Sequence, residues 1–99
     1  MAVWCLGSIN EDRVYRVPHI PAPGETLASR SMSVGLGGKG ANMSVAAARA
    51  GAHVRHVGAI GEGAEWCVER LMEYGVDTRA IVRLPQVAAH AVITVDDAG

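Results

Sequence analysis

The stretch that decides the fold is GLGGKGANMSVAAARAG, residues 35–51. Four glycines within six residues lead straight into a run of alanines and other small side chains. Small residues of this kind have good helix propensity and let a helix lie close against a sheet. Gly51 stands where a helix over residues 41–50 would end, since glycine readily takes the left-handed conformation found there. The stretch therefore predicts a glycine-rich turn followed at once by a helix.

Outward from this stretch, apolar segments with strand and helix patterns follow one another along the chain. The buried-strand candidates are residues 3–6, 54–60, 80–84 and 89–95, and a second helix is predicted over 64–74, ending at Gly75. We expect Trp4 and Trp66 to belong to the core. Strands separated by helices of about ten residues indicate an α/β sheet.

Two segments near the beginning have a different character. Residues 13–17 and 26–34 alternate only in part between polar and apolar side chains, and residues 21–24 form a proline–glycine turn between them. This pattern suits a thin, solvated antiparallel sheet better than a buried parallel one.

Length and composition exclude several classes of protein. With 99 residues and a net charge of −1, the chain is one domain at most and has no basic stripe for nucleic acid. No apolar run approaches the roughly 20 residues of a membrane span. Cys5 and Cys67 lie far apart and are predicted to be free, buried thiols, which favours the cytoplasm. We therefore expect neither a nucleic-acid nor a membrane partner.

The glycine cluster allows more than one kind of binding loop. A P-loop is excluded, because Gly38-Lys39 is followed by Gly40 and not by the serine or threonine that holds magnesium. Gly35, Gly37 and Gly40 match the spacing of a dinucleotide-binding fingerprint, with Glu62 downstream as the acidic residue. That motif must follow a buried parallel strand, and residues 27–34 are too polar for one.

A third interpretation combines the cluster with the polar residues after the first strand. Asn10 and Asp12 are two residues apart, so in extended chain their side chains share one side, at the end of the strands where α/β sheets bind ligands. Lys39 and Asn42 lie in the first turn of the following helix, beside glycine amides that lack partners. A carboxylate, two amides, an ammonium group and bare N–H groups suit a small, hydroxyl-rich ligand.

Other polar clusters have ordinary explanations. His53 and His56 would lie on opposite faces of a strand and cannot easily share one ion, so we predict no metal site. Asp96 and Asp97 indicate a turn.

Several motifs in register give the chain a resemblance to the PfkB family of ATP-dependent carbohydrate kinases, and to its ribokinase-like members in particular. The motifs are Gly7-Ser8-Ile9-Asn10-x-Asp12, Pro23-Gly24-Glu25-Thr26, Gly37-Gly38-Lys39-Gly40-Ala41-Asn42, Val45-Ala46-Ala47-Ala48-Arg49-x-Gly51-Ala52, Gly58-Ala59-Ile60-Gly61 and Gly75-Val76-Asp77-Thr78. The chain departs from the family pattern at Ala88-Ala89, at residues 61–63 and at Trp66, where relatives usually have glycine.

The resemblance implies a ribokinase-like (Rossmann-like) α/β sheet flanked by helices, with residues 1–99 as its incomplete N-terminal part. It implies transfer of the γ-phosphoryl group of ATP to a sugar hydroxyl, most simply O5 of ribose. The positions that match the family's sugar site are Asn10, Asp12, Gly38, Lys39 and Asn42. Residues 12–17 and 26–34 match the small β-sheet lid, through which family members often form a homodimer.

The resemblance also shows which groups to expect elsewhere. The catalytic base and the sites for ATP, Mg²⁺ and a monovalent cation such as K⁺ belong to the family's C-terminal half, so no catalytic, cofactor or metal residue is assigned in this chain. We expect the chain to be truncated and inactive alone. Three alternatives stay open: another PfkB substrate (fructose, a nucleoside or a keto-deoxy sugar acid), a non-catalytic sugar-binding fragment, and an NAD(P)-binding oxidoreductase fragment.

Overall fold

Two three-stranded sheets and two helices make up the protein, seen in a computed structural model that describes residues 2–99. In chain order the elements are β1 (Ala2–Leu6), β2 (Asn10–Arg16), β3 (Ser31–Gly37), α1 (Lys39–Arg49), β4 (His53–Glu62), α2 (Glu65–Glu73), β5 (Ile81–Val87) and β6 (His90–Val95). Within residues 2–99, neither helix has the length and hydropathy needed to cross a bilayer.

The first sheet is parallel throughout and has the strand order β1-β4-β5. Both helices pack on the face that carries Val54 and Ile60 of β4, where Ala41 of α1 and Leu71 of α2 are fully buried. The predicted α/β architecture is confirmed, since helices alternate with parallel strands and bury one apolar face against them.

Both helices end as their sequences indicate. Gly51 follows α1 with φ 98° and Gly75 follows α2 with φ 86°, the left-handed conformation that only glycine adopts at little cost. Their N–H groups donate to Ala48 O (3.0 Å) and Met72 O (2.9 Å), which satisfies carbonyls that the last helical turn would leave free.

The expectation that β1 is buried and that Trp4 belongs to the core is wrong. Trp4 is 61% exposed and Leu6 is 76% exposed, and the guanidinium of Arg55 lies over the Trp4 ring at 5.2 Å. The reason is the pleat of the strand: Trp4 and Leu6 pair with Arg55 and Val57, on the sheet face opposite to the helices. Val82, also on that face, is 56% exposed.

The second sheet has the order β3-β2-β6, antiparallel between β2 and β3 and parallel between β2 and β6. The second polar segment, predicted over residues 26–34, lies further along the chain than expected. Residues 26–30 are not in a strand, and β3 continues to Gly37 through glycines that the sequence places in a loop. Residues 89–95 were expected in the α/β sheet, whereas β6 joins β2 instead. Periodicity marked these strands but could not tell which partners they pair with.

Cys5 and Cys67 are both free, as the sequence predicts, although only Cys67 is fully buried. Burial raises the pKa of the Cys67 thiol to about 11, with a smaller contribution from the nearby Glu11 charge. This thiol therefore stays protonated and unreactive at neutral pH.

The connection between β1 and β2 crosses the first turn of α1 at two glycines, Gly7 and Gly40, which we call the glycine junction. A Cβ on Gly40 would lie 2.5 Å from Gly7 Cα and 2.7 Å from Ser8 N, and a Cβ on Gly7 would lie 2.7 Å from Gly40 Cα. Real Cβ atoms do not approach backbone this closely, so both positions require glycine. The junction sets how near β2 comes to α1.

We expect Gly40→Ala to destabilise the protein by about 3 kcal/mol, because the new methyl group overlaps backbone that no rotamer change can move aside. Helix propensity alone predicts the opposite, a gain of about 1 kcal/mol. The measurement is urea unfolding followed by circular dichroism. Gly35→Ala is the matched control, since a Cβ there meets nothing within 4 Å. Equal stability of the two variants would contradict the close crossing.

Candidate functional site

A buried histidine, His56, is hydrogen-bonded to the glycine junction. His56 of β4 and Ser44 of α1 are both 0% exposed. His56 Nε2 lies 3.0 Å from Gly7 O, and its Nδ1 lies 2.6 Å from Ser44 Oγ. A carbonyl only accepts, so Nε2 carries the proton and donates, while Nδ1 accepts from the Ser44 hydroxyl. The Gly7 N–H donates to Val57 O at 3.2 Å, so Gly7 is hydrogen-bonded through both its N–H and its carbonyl.

Asn10 and Asp12 open β2 directly after the junction. They pair with Gly37 and Gly35 of β3 and point to the same face of the second sheet. The Asp12 carboxylate occupies the space that a side chain on Gly37 would need. A side chain on Gly37 would therefore displace the Asp12 carboxylate, which lies against the backbone that leads into α1.

Gly38 and Lys39 follow immediately on that backbone. Gly38 has φ 95° and precedes α1, and no side chain caps the helix. A Cβ on Gly38 would lie 2.5 Å from Ser8 O and 3.0 Å from Asn10 N. Lys39 is the first helical residue, and its side chain is exposed. The backbone of Gly38 and Lys39 thus lies next to the start of β2, with the Lys39 side chain in solvent.

Asn42 lies one turn further into α1. Its N–H donates to Gly38 O at 2.9 Å, while the preceding Ala41 N–H donates to Ser8 O at 3.0 Å. Asn42 also lines a cavity of about 330 Å³ between the two helices. The other residues that line this cavity are Leu36, Val45, Ala46, Arg49, Arg70 and Tyr74. The fold therefore brings Asn10, Asp12, Gly38 and Lys39 together, with Asn42 at the edge of the group.

Sequence reasoning missed two features next to this group. One is the Ser44–His56 pair described above. The other is Glu11, whose Oε1 accepts from the Trp66 indole N–H at 2.6 Å and whose Oε2 accepts from Arg13 at 3.2 Å. These hydrogen bonds, the one from Trp66 above all, lower the pKa of Glu11 despite its burial. The only available signal was the strand alternation that turns Glu11 away from Asn10 and Asp12.

The geometry of β3 excludes the dinucleotide-binding interpretation. Gly35 and Gly37 lie inside antiparallel strand β3, in register with Asp12 and Asn10, whereas the fingerprint turn must follow a buried parallel strand.

Histidine and carboxylate positions show no metal centre in the described part of the chain. Throughout residues 2–99, no three His, Cys, Asp or Glu side chains come together as a metal ion would require.

Comparison with known proteins adds the decisive observation. Residues 2–99 match the model of the pfkB family of carbohydrate kinases. The chain belongs to the PfkB family.

Individual PfkB relatives are ribokinases. The chain is 42% identical over 83 residues to the ribokinase of Haemophilus influenzae, an alignment that covers 82% of this chain and 27% of that protein. Among solved structures, ribokinase from Cryptococcus neoformans in complex with ADP superposes with a TM-score of 0.86 and 39% identity, covering 99% of this chain and 31% of that one. Arabidopsis thaliana ribokinase complexed with ribose and ATP gives 0.84 and 27%, covering 97% and 32%. This PfkB chain thus spans about a third or less of the length of the relatives it matches.

Proposed function

We propose that the whole protein is a kinase that transfers the γ-phosphoryl group of ATP to a sugar hydroxyl, with ribose and its O5 as the substrate and acceptor. The observation that carries this proposal is the position of the Asp12 carboxylate, which lies over Gly37 beside the uncapped start of α1. Membership of the PfkB family and the ribokinase complexes with ribose, ATP and ADP support it.

In this proposal the sugar binds through its hydroxyl groups. The Asp12 carboxylate accepts hydrogen bonds from two neighbouring hydroxyls, and the Asn10 and Asn42 amides both donate and accept. Gly38 contributes backbone, and the Lys39 ammonium donates to a sugar oxygen. Because the carboxylate is ionised, its hydrogen bonds are stronger than those between neutral groups.

The sheet of β2, β3 and β6 has the role of a lid over the sugar. Asp12 lies on this sheet and Lys39 on the helix below, so sugar bound between them would be covered on one side by the lid. Exclusion of water matters in a phosphoryl-transfer site, because water competes with the sugar hydroxyl as acceptor.

Nucleotide and metal belong to the proposal for the whole protein. When bound, ATP supplies the phosphoryl group, and Mg²⁺ (with a monovalent cation such as K⁺) neutralises its charge. Among residues 2–99, no three His, Cys, Asp or Glu side chains come together as a metal ion would require. We assign these contacts and the catalytic base to no residue of this chain. The two free thiols favour a reducing compartment, and we propose the cytoplasm.

The proposal predicts sugar-dependent ADP release by the whole protein. A coupled assay with ribose, fructose, nucleosides and a keto-deoxy sugar acid measures it, and ribose is expected to give the highest kcat/KM. Turnover only with another of these acceptors would revise the substrate. Absence of turnover with all of them, combined with ribose binding in a calorimetric titration, would replace the kinase by a non-catalytic sugar-binding protein.

Two substitutions test the sugar site itself. Asp12→Asn and Lys39→Ala should each raise the KM for the sugar by about 10- to 100-fold, because a hydrogen bond to a charged group contributes about 1.5–3 kcal/mol. The KM for ATP should stay within about twofold of the unsubstituted protein. Asp97→Asn is the matched control, since Asp97 is exposed and pairs with Arg30 at the far end of the lid. An equal rise in both KM values would contradict the assignment.

We also propose that two copies of the protein associate through their lids. Met32, Val34 and Val92 share one face of the second sheet and are 53%, 47% and 61% exposed. Val34 and Val92 flank Arg13 on this face, and exposed apolar side chains grouped on one face are typical of protein–protein contacts.

Sedimentation of the whole protein should show a dimer, and Val34→Glu should shift it to the monomer by placing a charge in the contact. Met72→Glu on α2 is the control, because Met72 is 58% exposed and lies outside the lid. A dimer that persists in Val34→Glu would show that the lids are not the contact.

A further inference from the structure

Glu11 is the one buried carboxylate among residues 2–99, at 8% exposure. Its oxygens accept from the Trp66 indole N–H at 2.6 Å and from Arg13 at 3.2 Å, and its backbone N–H donates to Ala89 O at 3.0 Å. An ionised carboxylate is buried this deeply only when its hydrogen bonds compensate for lost hydration. Both carboxylate oxygens and the backbone N–H of Glu11 are therefore hydrogen-bonded.

Trp66 belongs to helix α2 and packs against the core beneath the first sheet, outside the lid sheet of β2, β3 and β6. It lies in the first turn of α2, its ring packs against the core, and the guanidinium of Arg70 lies over that ring at 6.0 Å. The next residue, Cys67, is 0% exposed. The indole N–H thus projects from a well-packed helix towards the base of the lid.

The Trp66–Glu11 hydrogen bond connects helix α2 to the lid sheet of β2, β3 and β6. In the described part of the chain, no other side-chain hydrogen bond or ion pair joins a strand of the lid sheet to a helix. The bond spans 55 positions in sequence. It ties the base of β2 to α2, on the side of the sheet away from the proposed sugar.

Glu11 lies between Asn10 and Asp12, and strand alternation turns it to the opposite face from both. Adjacent residues of a strand are about 3.3 Å apart along its axis and share its peptide planes. A shift of Glu11 must therefore move Asn10 and Asp12 with it. The β2 register also aligns Asp12 with Gly35, so a displaced strand would withdraw the carboxylate from its place over Gly37.

We propose that Trp66 is a positioning residue for the sugar site: by donating its indole N–H to Glu11, it holds the start of β2 where Asn10 and Asp12 can bind the sugar. This inference rests on the proposed function. Trp66 itself lies behind the strand and touches no substrate.

Trp66→Phe tests the proposal in the whole protein, because phenylalanine keeps an aromatic ring and removes the N–H donor. We expect a rise of about tenfold in the KM for the sugar, with the KM for ATP within twofold and kcat within threefold. Trp4→Phe is the matched control: Trp4 is exposed on the far face of the first sheet, so this variant should leave all three constants unchanged. Thermal unfolding of both variants monitors stability separately.

Substitutions at Glu11 supply a rescue test that a purely structural role would not pass. Glu11→Gln retains a carbonyl oxygen for the indole N–H, and the sugar KM should stay within about threefold of the unsubstituted value. Glu11→Leu removes the acceptor and should raise the sugar KM about tenfold. In the double variant Trp66→Phe/Glu11→Leu, the two increases in the sugar KM should not multiply, because both changes remove the same Trp66–Glu11 hydrogen bond.

Hydrogen exchange at residues 10–12 provides a readout that does not depend on catalysis. These amides should exchange faster in Trp66→Phe than in Trp4→Phe. A sugar KM unchanged in both Trp66→Phe and Glu11→Leu, or equal exchange in the two tryptophan variants, would overturn the positioning role while leaving the proposed kinase intact. If the unsubstituted protein phosphorylates no sugar, the proposed function fails instead, and the exchange measurement still decides whether Trp66 holds β2.

Discussion

The backbone of Gly7 crosses that of Gly40 with no room for a side chain on either residue, and the position of every candidate site residue depends on this crossing. Asn10 and Asp12 follow Gly7 within five residues, while Gly38 and Lys39 directly precede Gly40. The contact is between two backbones, so no change of rotamer can relieve an added methyl group. A larger residue at the crossing would separate the start of β2 from the start of α1, and the two halves of the site with them.

The buried polar side chains around this crossing all have hydrogen-bond partners. His56 of β4 donates to the Gly7 carbonyl and accepts from the Ser44 hydroxyl of α1, and Trp66 of α2 donates to Glu11. Among residues 2–99, no buried side-chain nitrogen or oxygen lacks a hydrogen bond. Since an unsatisfied buried group costs about 1–3 kcal/mol, arrangements that break any of these bonds are disfavoured. A fully satisfied network of this kind favours one geometry over its alternatives.

Much of the fold could be predicted because its signals are local. Gly51 and Gly75 mark the ends of both helices, and the spacing of Asn10 and Asp12 is enough to place them on one face of a strand. The predictions that failed concern contacts between residues that are far apart in the sequence. Nothing in residues 89–95 says that β6 pairs with β2, and nothing near Trp4 says that the helices cover only the other face. Glu11 and Trp66 are 55 positions apart, so their contact has no periodic or spacing signal.

The charges at the start of α1 support the proposal that the candidate site binds a neutral sugar. A helix N-terminus carries a partial positive charge, and Lys39 adds a full one, an arrangement that is unfavourable on its own. The Asp12 carboxylate lies over Gly37, two residues before Lys39 in the chain, and supplies a balancing negative charge. Glu11 adds no free charge, since Trp66 and Arg13 already occupy its oxygens. The candidate site thus offers charged donors and acceptors with little net charge, a combination that supports the proposed recognition of a ligand through its hydroxyl groups and not through a net charge.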